Sequence, residues 1–453
     1  MSSTLADLIQ SAADALFMPW VVAILLLSGL FLTFRTGFVQ VRRFGEACRV
    51  AFVRRGSGAD GALTPFQAFM TALGASIGTG NIAGVATAIV SGGPGALFWI
   101  WVYGFVATAI KFSEAVLGMT FREARGEQVL SGPMYYLRDG LRSPFLAWTF
   151  AFVAAVAALT TTPFTQPNSI AVATQAVFGI PPWLMGLVVA ALVLAVIVGG
   201  IRTIGRVAEM LAPFKVALYF AGGLVVVASF ADRVPGVLAM VLREAWTTKS
   251  AMGFGLFVAM RYGVARGIYA NEAGYGTAAV AYGTARSSDP TEQGLQAVVE
   301  VFVVSFVTAT ISALTILLTG VAEHAMVARQ AGAPFVTSTA AVAAAFDAAM
   351  PVAGGWIVAF CALLFGYTTL VGWSYYGEQF LVYLFGARVV LPYRWIYCLL
   401  IPFGAVLRPE IVWAWGDLMN ALQVFPNLIG VVALSGVVAR YAAAPDRAVA
   451  RQA

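Results

Sequence analysis

Two long apolar segments of this chain are each interrupted by a run of small residues. The first run, 74–81, reads Gly-Ala-Ser-Ile-Gly-Thr-Gly-Asn and lies inside the apolar stretch 64–90. The second run, 267–276, contains three glycines and lies inside the stretch 251–282. Glycine is a poor helix former because fixing it costs the most backbone entropy. We therefore predict two discontinuous helices, whose unwound backbone must be satisfied by protein or by a cavity.

The composition identifies the class of protein. The chain has 453 residues, of which 60% are hydrophobic and 11% charged, whereas soluble proteins carry about 25% charged residues. One transmembrane helix needs about 20 apolar residues. We therefore predict an all-α polytopic membrane protein with about 11 transmembrane helices. The predicted spans are 15–34, 64–91, 93–119, 146–176, 182–200, 208–230, 251–282, 296–319, 352–385, 392–407 and 410–439.

The positive charges indicate the orientation. Most of the 27 lysines and arginines fall in alternate short connections, and such residues accumulate on the cytoplasmic side. This predicts an outside N-terminus and a cytoplasmic C-terminus. Because the charges lie in short loops between apolar spans, a nucleic-acid partner is not expected. The N-terminus lacks the basic region of a cleaved signal peptide, so the first span is expected to remain.

Three further features complete the outline. The basic segment 36–55 is either an amphipathic helix on the cytoplasmic surface or a plain basic loop. The segment 320–350 is predicted to be a long outer connection with short helices. Cys48, Cys361 and Cys398 lack metal-ligand spacing and imply no disulfide framework.

The breaks also suggest the internal organisation. We expect one integral domain, 1–453, in which an extra helix at 15–34 precedes repeat one (about 64–230) and repeat two (about 251–442). Each repeat begins with a break and holds five spans. An odd number of spans places the repeats in opposite orientation, so a 5+5 inverted repeat is predicted.

A helix break creates a binding site from backbone alone. The half-helix after the break presents free amides and a partial positive charge, which favour a carboxylate. The free carbonyls before it suit a hard cation. Matched breaks in two halves of a chain are typical of the substrate site of a secondary transporter.

Each break also has a simpler interpretation. Gly74 and Gly78 have the spacing of a helix-packing face. The second break fits a kink in which Glu272 pairs with Arg266 or Arg261, as charges at membrane depth usually do.

Two other polar clusters interrupt apolar spans. In the cluster 160–168, Gln166 and Asn168 are expected to face a polar interior, or else the cluster is a capped helix end. Thr368 and Thr369 either complete a sodium shell with carbonyls of the first break or bond back to their own helix.

Four motifs, in order along nearly the whole chain, resemble the alanine/glycine:cation symporter family. They are 76–85 (SIGTGNIAGV), 92–96 (GGPGA), 131–136 (SGPMYY) and 271–276 (NEAGYG). The resemblance implies a LeuT-type fold of the APC superfamily and alternating access. It further implies sodium- or proton-coupled uptake of alanine or glycine across a prokaryotic plasma membrane.

The resemblance also implies roles for individual residues at both breaks. Two carbonyls of the first break and two hydroxyls of the ninth span would bind sodium, with a second cation position beside them. The implied sodium ligands are Gly74, Ile77, Thr368 and Thr369, and the second position involves Ser76 and Asn81.

The substrate is expected between the two breaks. Amides of the first break would hold its carboxylate, carbonyls and an asparagine of the second would meet its amine, and three side chains would shape a small pocket. The implied substrate-binding residues are Thr79, Gly80, Phe164, Gln166, Gly267, Ile268, Asn271 and Trp373.

Other functions find less support in the sequence. A channel would need a filter motif, and an intramembrane enzyme would need a nucleophile or metal set, yet the one histidine, His324, is predicted outside the membrane. A transporter-like nutrient sensor would be expected to carry a signalling domain. A proton-coupled symporter remains an alternative, with Glu272 as the obvious carrier. The sequence gives neither the oligomeric state nor the choice between alanine and glycine.

Overall fold

The computed structural model describes residues 3–52, 59–125, 128–247 and 255–443. Within these ranges the chain is almost entirely helical, with one short antiparallel ribbon of β1 (Glu123–Arg125) and β2 (Gln128–Leu130). Before the first break lie α1 (Ser3–Leu16), α2 (Val22–Arg35), α3 (Val39–Arg42) and α4 (Phe44–Phe52), with a π-helical turn at Phe17–Val21.

Residues 248–254, which lie outside the described ranges, divide the remaining helices into two halves of the chain. The first half contains α5 (Pro65–Ser76), α6 (Ala83–Gly92), α7 (Ala96–Thr120), α8 (Pro133–Tyr135), α9 (Pro144–Thr160), α10 (Thr162–Phe178), α11 (Pro182–Ile197), α12 (Gly200–Ser229) and α13 (Val234–Glu244). The second half contains α14 (Leu256–Asn271), α15 (Thr277–Gly283), α16 (Pro290–Phe302), α17 (Ala309–Leu318), α18 (Val321–Gln330), α19 (Ser338–Ala349), α20 (Ala353–Phe385), α21 (Val390–Val406), α22 (Pro409–Ala433) and α23 (Ser435–Ala443). Short 3-10 turns lie at Thr79–Asn81, Ala231–Arg233 and Ala387–Val389, and π-helical turns at Tyr136–Gly140 and Val303–Thr308.

The described residues contain six helices long and apolar enough to cross a membrane, or up to eight if each bent pair is one span. One bent pair is α5 with the 79–92 segment, and the other is α22 with α23; each bends by 59°. Large apolar side chains such as Phe145, Trp148, Leu399 and Phe403 are exposed, as expected for a lipid-facing surface. The chain is therefore a multi-pass membrane protein, while the count of eleven spans and the inverted repeat stay predictions.

Helix α5 begins at a capping box. The Thr64 hydroxyl accepts a hydrogen bond from the Gln67 amide, and the Gln67 side chain accepts one from the Thr64 amide, both at 3.1 Å. Pro65 occupies the first helical position, where its missing N–H costs nothing. The first break follows at the C-terminal end of α5, after Ser76.

The central helices pack around both breaks. Helix α7 packs against α14, α15 and α16, and α12 packs against α5 and α20. Long helices from other parts of the chain thus bring their side chains to the unwound backbone.

The two segments with open interpretations are helical. Helices α3 and α4 confirm the helical interpretation of 39–52, and residues 53–55 lie outside the described residues. Ala47, Val50 and Ala51 of α4 are buried, and α4 packs against α16. The connection 320–350 contains the two short helices α18 and α19, as predicted.

Candidate functional site

The first break lies where the sequence predicts it. Helix α5 ends at Ser76, Ile77 and Gly78 leave the helical conformation with ψ values of 76° and −170°, and α6 begins at Ala83. All these residues are buried. Gly74 packs near Ala208 and Ala212 of α12, so the packing interpretation also applies to that glycine.

The carbonyl end of the first break is held by a lysine. The Lys215 ammonium, on α12, donates to the Gly74 carbonyl at 2.9 Å, to the Ile77 carbonyl at 2.5 Å and to the Thr368 hydroxyl. Thr369 donates to the Ala75 carbonyl at 2.7 Å. The structure thus brings the four predicted sodium ligands together.

Lys215 bears on the predicted sodium site, which stays a prediction. Three of the four predicted ligands, Gly74, Ile77 and Thr368, contact the Lys215 ammonium, and a sodium ion among the same oxygens would lie within a few ångströms of it. A Lys215 side chain that keeps its proton would repel a sodium ion at such a separation. The sequence signal for Lys215 was a lone lysine within an apolar segment, which is rare and usually functional.

The amide end of the first break carries no charged partner among the described residues. Gln166 Oε1, on α10, accepts hydrogen bonds from the Thr79 amide at 3.0 Å and the Thr79 hydroxyl at 2.9 Å. A neutral carboxamide oxygen therefore occupies the position predicted for a substrate carboxylate. Asn168, predicted with Gln166 to face a polar interior, is buried and donates to the Gly404 and Leu407 carbonyls at the end of α21.

The predicted second cation position, at Ser76 and Asn81, contains one buried oxygen without a hydrogen-bond partner among the described residues. The Asn81 carboxamide nitrogen donates to the Ser76 carbonyl at 2.9 Å. Asn81 is fully buried, and its side-chain oxygen has no hydrogen-bond partner among the described residues. The Ser76 hydroxyl donates to Glu300 at 2.6 Å and accepts from Lys111 at 2.8 Å. The side-chain oxygen of Asn81 is therefore the group at this position that suits a cation.

The second break falls at the end of the predicted run 267–276. Helix α14 continues to Asn271, because the Ile268 carbonyl accepts from the Glu272 amide at 2.9 Å and the Gly267 carbonyl accepts from the Asn271 side chain at 2.8 Å. Those two carbonyls each accept a hydrogen bond within α14, and their assignment to the substrate amine stays a prediction. The non-helical residues are 272–276, and Glu272 and Gly276 there have φ of 56° and 79°.

Two charged residues of α7 hold the ends of the second break. The Lys111 ammonium donates to the Asn271 carbonyl at 2.6 Å. Glu114 Oε1 accepts from the Gly274 and Gly276 amides at 2.9 and 3.1 Å. A cation at the carbonyl end and an anion at the amide end match the helix dipoles. Sequence reasoning left out both residues, although an ionisable side chain in an apolar span was the available signal.

A small cavity of about 20 Å³ lies between the breaks, and we call it the central cavity. Of the residues predicted at the site, it contacts Ser76, Gly80, Gln166, Thr369 and Trp373. Its full lining is Ala75, Ser76, Gly78, Gly80, Thr161, Thr162, Gln166, Tyr269, Glu272, Tyr275, Thr369, Trp373 and Asn420.

Two predicted pocket residues point elsewhere. Phe164 packs against α21, where its Cα lies 2.5 Å from the position a Cβ on Gly404 would take. The Asn271 side chain exchanges hydrogen bonds with Ser305 at 2.7 and 2.9 Å. Neither residue lines the central cavity, and helix periodicity next to a break could not predict this.

Glu272 faces the central cavity. Its carboxylate accepts from the Trp373 indole N–H at 2.6 Å and from the Thr277 hydroxyl at 2.9 Å. Arg266, one of its predicted partners, pairs instead with Asp417 at 2.7 Å. Glu272 is the one acidic residue in the lining of the central cavity.

An aromatic pair separates the central cavity from a larger one. The rings of Tyr269 and Trp413 lie 5.0 Å apart, and the Tyr269 hydroxyl donates to Thr165 at 2.8 Å. Beyond them an open cavity of about 490 Å³ is lined partly by Arg329, from the 320–350 connection. Tyr269 therefore closes one side of the central cavity.

Comparisons with known sequences identify relatives of this chain along nearly its whole length. The sequence profile described as the sodium:alanine symporter family matches residues 2–448. The chain is 38% identical to the sodium/alanine symporter AgcS of Methanococcus maripaludis, over 95% of each chain. It is 33% identical to the putative sodium/proton-dependent alanine carrier protein YrbD of Bacillus subtilis, over 95% of this chain and 90% of that one. It is also 33% identical to the probable sodium/glutamine symporter GlnT of the same organism, over 97% and 90%.

Among solved structures, the chain resembles the manganese transporter of Eremococcus coleocola. The TM-score is 0.55 at 16% identity, over 84% of this chain and 82% of that chain, which is a likeness of fold alone. The relatives are transporters, and this confirms the prediction of a transport protein rather than an enzyme. The match along nearly the whole length places this chain in the sodium:alanine symporter family.

Proposed function

We infer that this protein is a secondary active symporter that couples sodium entry to the uptake of alanine, glycine or both by alternating access. The observation that carries this proposal is the central cavity, which joins the uncharged amide end of one helix break to a buried carboxylate beside the other. A zwitterionic amino acid has the complementary pair of charges. The names of the relatives, which include sodium/alanine and sodium/glutamine symporters, support an amino acid as substrate.

The substrate carboxylate is proposed to bind the amides of Thr79 and Gly80. Lysines already occupy the carbonyl ends of both breaks, and Glu114 occupies the amide end of the second. The amide end of the first break holds only the neutral oxygen of Gln166. A carboxylate accepts amide hydrogen bonds about twice as strongly as a neutral oxygen does, so it can displace Gln166.

The substrate amine is proposed to meet Glu272 rather than the carbonyls of α14. Glu272 lines the cavity, and its two hydrogen bonds leave acceptor capacity, since an ionised carboxylate has about four lone-pair sites. Trp373 and Tyr269 limit the space for a side chain. This favours a hydrogen or a methyl group, hence glycine or alanine.

The coupling sodium ion is proposed to bind at Asn81. Its buried carboxamide oxygen has no partner among the described residues, and oxygen is the ligand that hard cations prefer. The bound substrate carboxylate would supply a second oxygen nearby. Sodium would then stabilise the substrate-loaded state, and it can shift the conformational equilibrium only by its different affinity for the two states.

Alternating access is proposed to use the predicted architecture. This comprises eleven spans in a single domain, with an extra helix before a LeuT-type 5+5 inverted repeat. The N-terminus would lie outside and the C-terminus in the cytoplasm of a prokaryotic plasma membrane. In that orientation the open cavity beyond Tyr269 faces outward, because it is lined by the 320–350 connection.

A proton-coupled symporter is the second candidate. It is favoured by Lys215, a proton-carrying group at the carbonyls where a sodium ion was expected, and by Glu272 in the cavity wall. The relative YrbD is named as sodium/proton-dependent.

Uptake of radiolabelled alanine into proteoliposomes tests these proposals. We expect uptake with an inward sodium gradient at equal pH on both sides. Uptake driven only by an inward proton gradient would replace sodium with protons as the coupling ion. Absence of uptake under both gradients, with glutamine and glycine also inactive and the protein folded, would contradict the proposed function.

A further inference from the structure

We propose that the buried Lys111–Glu300 pair is a rigid link that makes the two broken helices move as one unit during transport. This inference rests on the proposed transport function. Neither residue lines the central cavity, so both are positioning residues.

The link has a short, fully buried centre. The Lys111 ammonium and Glu300 Oε1 lie 2.6 Å apart, and the two side chains are 1% and 0% exposed. Lys111 projects from α7 and Glu300 from α16. These two helices pack closely against each other, so the pair is anchored on a rigid support.

Lys111 reaches both breaks at once. Besides Glu300, its ammonium donates to the Ser76 hydroxyl at the end of α5, at 2.8 Å, and to the Asn271 carbonyl at the end of α14, at 2.6 Å. An ammonium has three donors, and each has a different partner. The first and second broken helices are therefore joined through a single nitrogen atom.

Glu300 also accepts hydrogen bonds from residues of both broken helices. Its Oε1 also accepts from the Ser76 hydroxyl at 2.6 Å, and its Oε2 accepts from the Tyr282 hydroxyl at 2.7 Å. Tyr282 belongs to α15, the half-helix after the second break. The pair thus holds the last turn before the first break and both halves of the second broken helix.

This connectivity has a consequence for transport. In an alternating-access cycle, the first break carries the proposed carboxylate site and the second the proposed amine site. A substrate bound to both can be carried only if the two breaks keep their relative position while their surroundings change. A buried, fully hydrogen-bonded ion pair resists separation because pulling it apart leaves uncompensated charge.

The test removes both charges together. Either single neutralisation leaves a buried charge unpaired and threatens folding, so the main variant is the double substitution Lys111→Met with Glu300→Gln. In proteoliposomes we expect its turnover of alanine to fall at least tenfold, while alanine binding, followed by equilibrium dialysis of the purified protein, changes less than threefold. A double variant that transports within twofold of the parent would overturn the proposal.

A control uses a second ion pair, whose hydrogen bonds among the described residues include none to either break. Arg394 and Glu378 lie 2.8 Å apart and join α21 to α20. We expect Arg394→Met with Glu378→Gln to retain turnover within twofold. A similar loss in this control would mean that any neutralised pair slows the protein, and would contradict a specific role for Lys111 and Glu300.

A milder variant covers the case in which the double variant does not fold. Ser76→Ala removes one hydroxyl from the link and leaves the ion pair intact, and we expect turnover to fall several-fold without a change in melting temperature. Unchanged turnover would contradict the proposal. Uptake by the parent protein is measured in parallel, because its absence would contradict the proposed function and not the link itself.

Discussion

The Lys215 ammonium lies 2.5 Å from the carbonyl oxygen of Ile77 and donates to it at the first helix break. The nitrogen of a lysine of α12 thus lies among the oxygens that the family resemblance assigns to a sodium ion. Removing this ammonium exposes buried carbonyl and hydroxyl oxygens, and each unsatisfied buried group costs about 1–3 kcal/mol.

We expect Lys215→Met to lower the melting temperature in sodium-free buffer and to create a new sodium response. The vacated oxygens of Gly74, Ile77 and Thr368 resemble a cation shell, and a ligand that binds only the folded state stabilises it. Thermal unfolding in sodium chloride and in choline chloride measures the effect. Adding Thr368→Val should abolish the extra stabilisation; an equal sodium shift in parent and variant would contradict this account.

Gln166→Glu should strongly weaken alanine binding. The variant places a permanent carboxylate against the Thr79 amide, 3.0 Å from the present oxygen, so the substrate carboxylate meets a like charge. We expect the dissociation constant of alanine, from equilibrium dialysis, to rise at least about 30-fold, or about 2 kcal/mol. Gln166→Ala, which removes the competing oxygen without adding charge, should affect binding far less. Equal losses in both variants would indicate a packing role.

Glu272→Gln should weaken recognition of the substrate amine. The glutamine can still accept from the Trp373 indole, so folding should be preserved. We expect KM for alanine to rise at least about tenfold, or about 1.4 kcal/mol. Propionate, which is alanine without the amine, should inhibit parent and variant equally. Trp373→Phe keeps the carboxylate and serves as the comparison. A KM within twofold of the parent would remove Glu272 from the substrate site.

Gly80→Ala should reduce uptake by obstructing the central cavity. An added Cβ would lie 2.7 Å from the Tyr269 ring, and the ring is held by its hydrogen bond to Thr165 at 2.8 Å. Overpacking of this kind costs about 1–3 kcal/mol, so we expect at least about a tenfold loss of initial rate. Gly236→Ala has nothing within 4 Å and should transport normally. Normal uptake by Gly80→Ala would show that Tyr269 moves away readily.

Asn81→Ala should raise the sodium concentration that gives half-maximal uptake by about tenfold, or about 1.4 kcal/mol. Its buried oxygen has no partner among the described residues. Asn81→Asp should lower that concentration, because a carboxylate attracts a cation more strongly. Thr369→Ala should change it less than threefold, since the Thr369 hydroxyl donates to the Ala75 carbonyl. A larger effect of Thr369→Ala than of Asn81→Ala would instead support sodium binding at Thr368 and Thr369.

Much of the site's local chemistry could be read from the chain itself. The unwinding at Ile77 and Gly78 follows from glycine-rich backbone in an apolar segment, and such a property depends on near neighbours alone. Gln166 was predicted from polarity and Trp373 from family resemblance, and both line the central cavity. The orientation of Phe164 and Asn271 was not predictable, because a small change of helix phase turns a side chain away from a cavity.

The sequence by itself determined that this is a multi-pass helical membrane protein with interrupted helices and membership in a transporter family. Composition, periodicity and local backbone preferences are sufficient for that. Only the tertiary structure decided which groups satisfy the interrupted backbone. Lys215 meets Ile77 across 138 residues, and Glu300 meets Ser76 across 224. Such pairings depend on how distant helices pack, and the strong cost of leaving a buried charge or carbonyl without a partner makes them definite once the helices are in place.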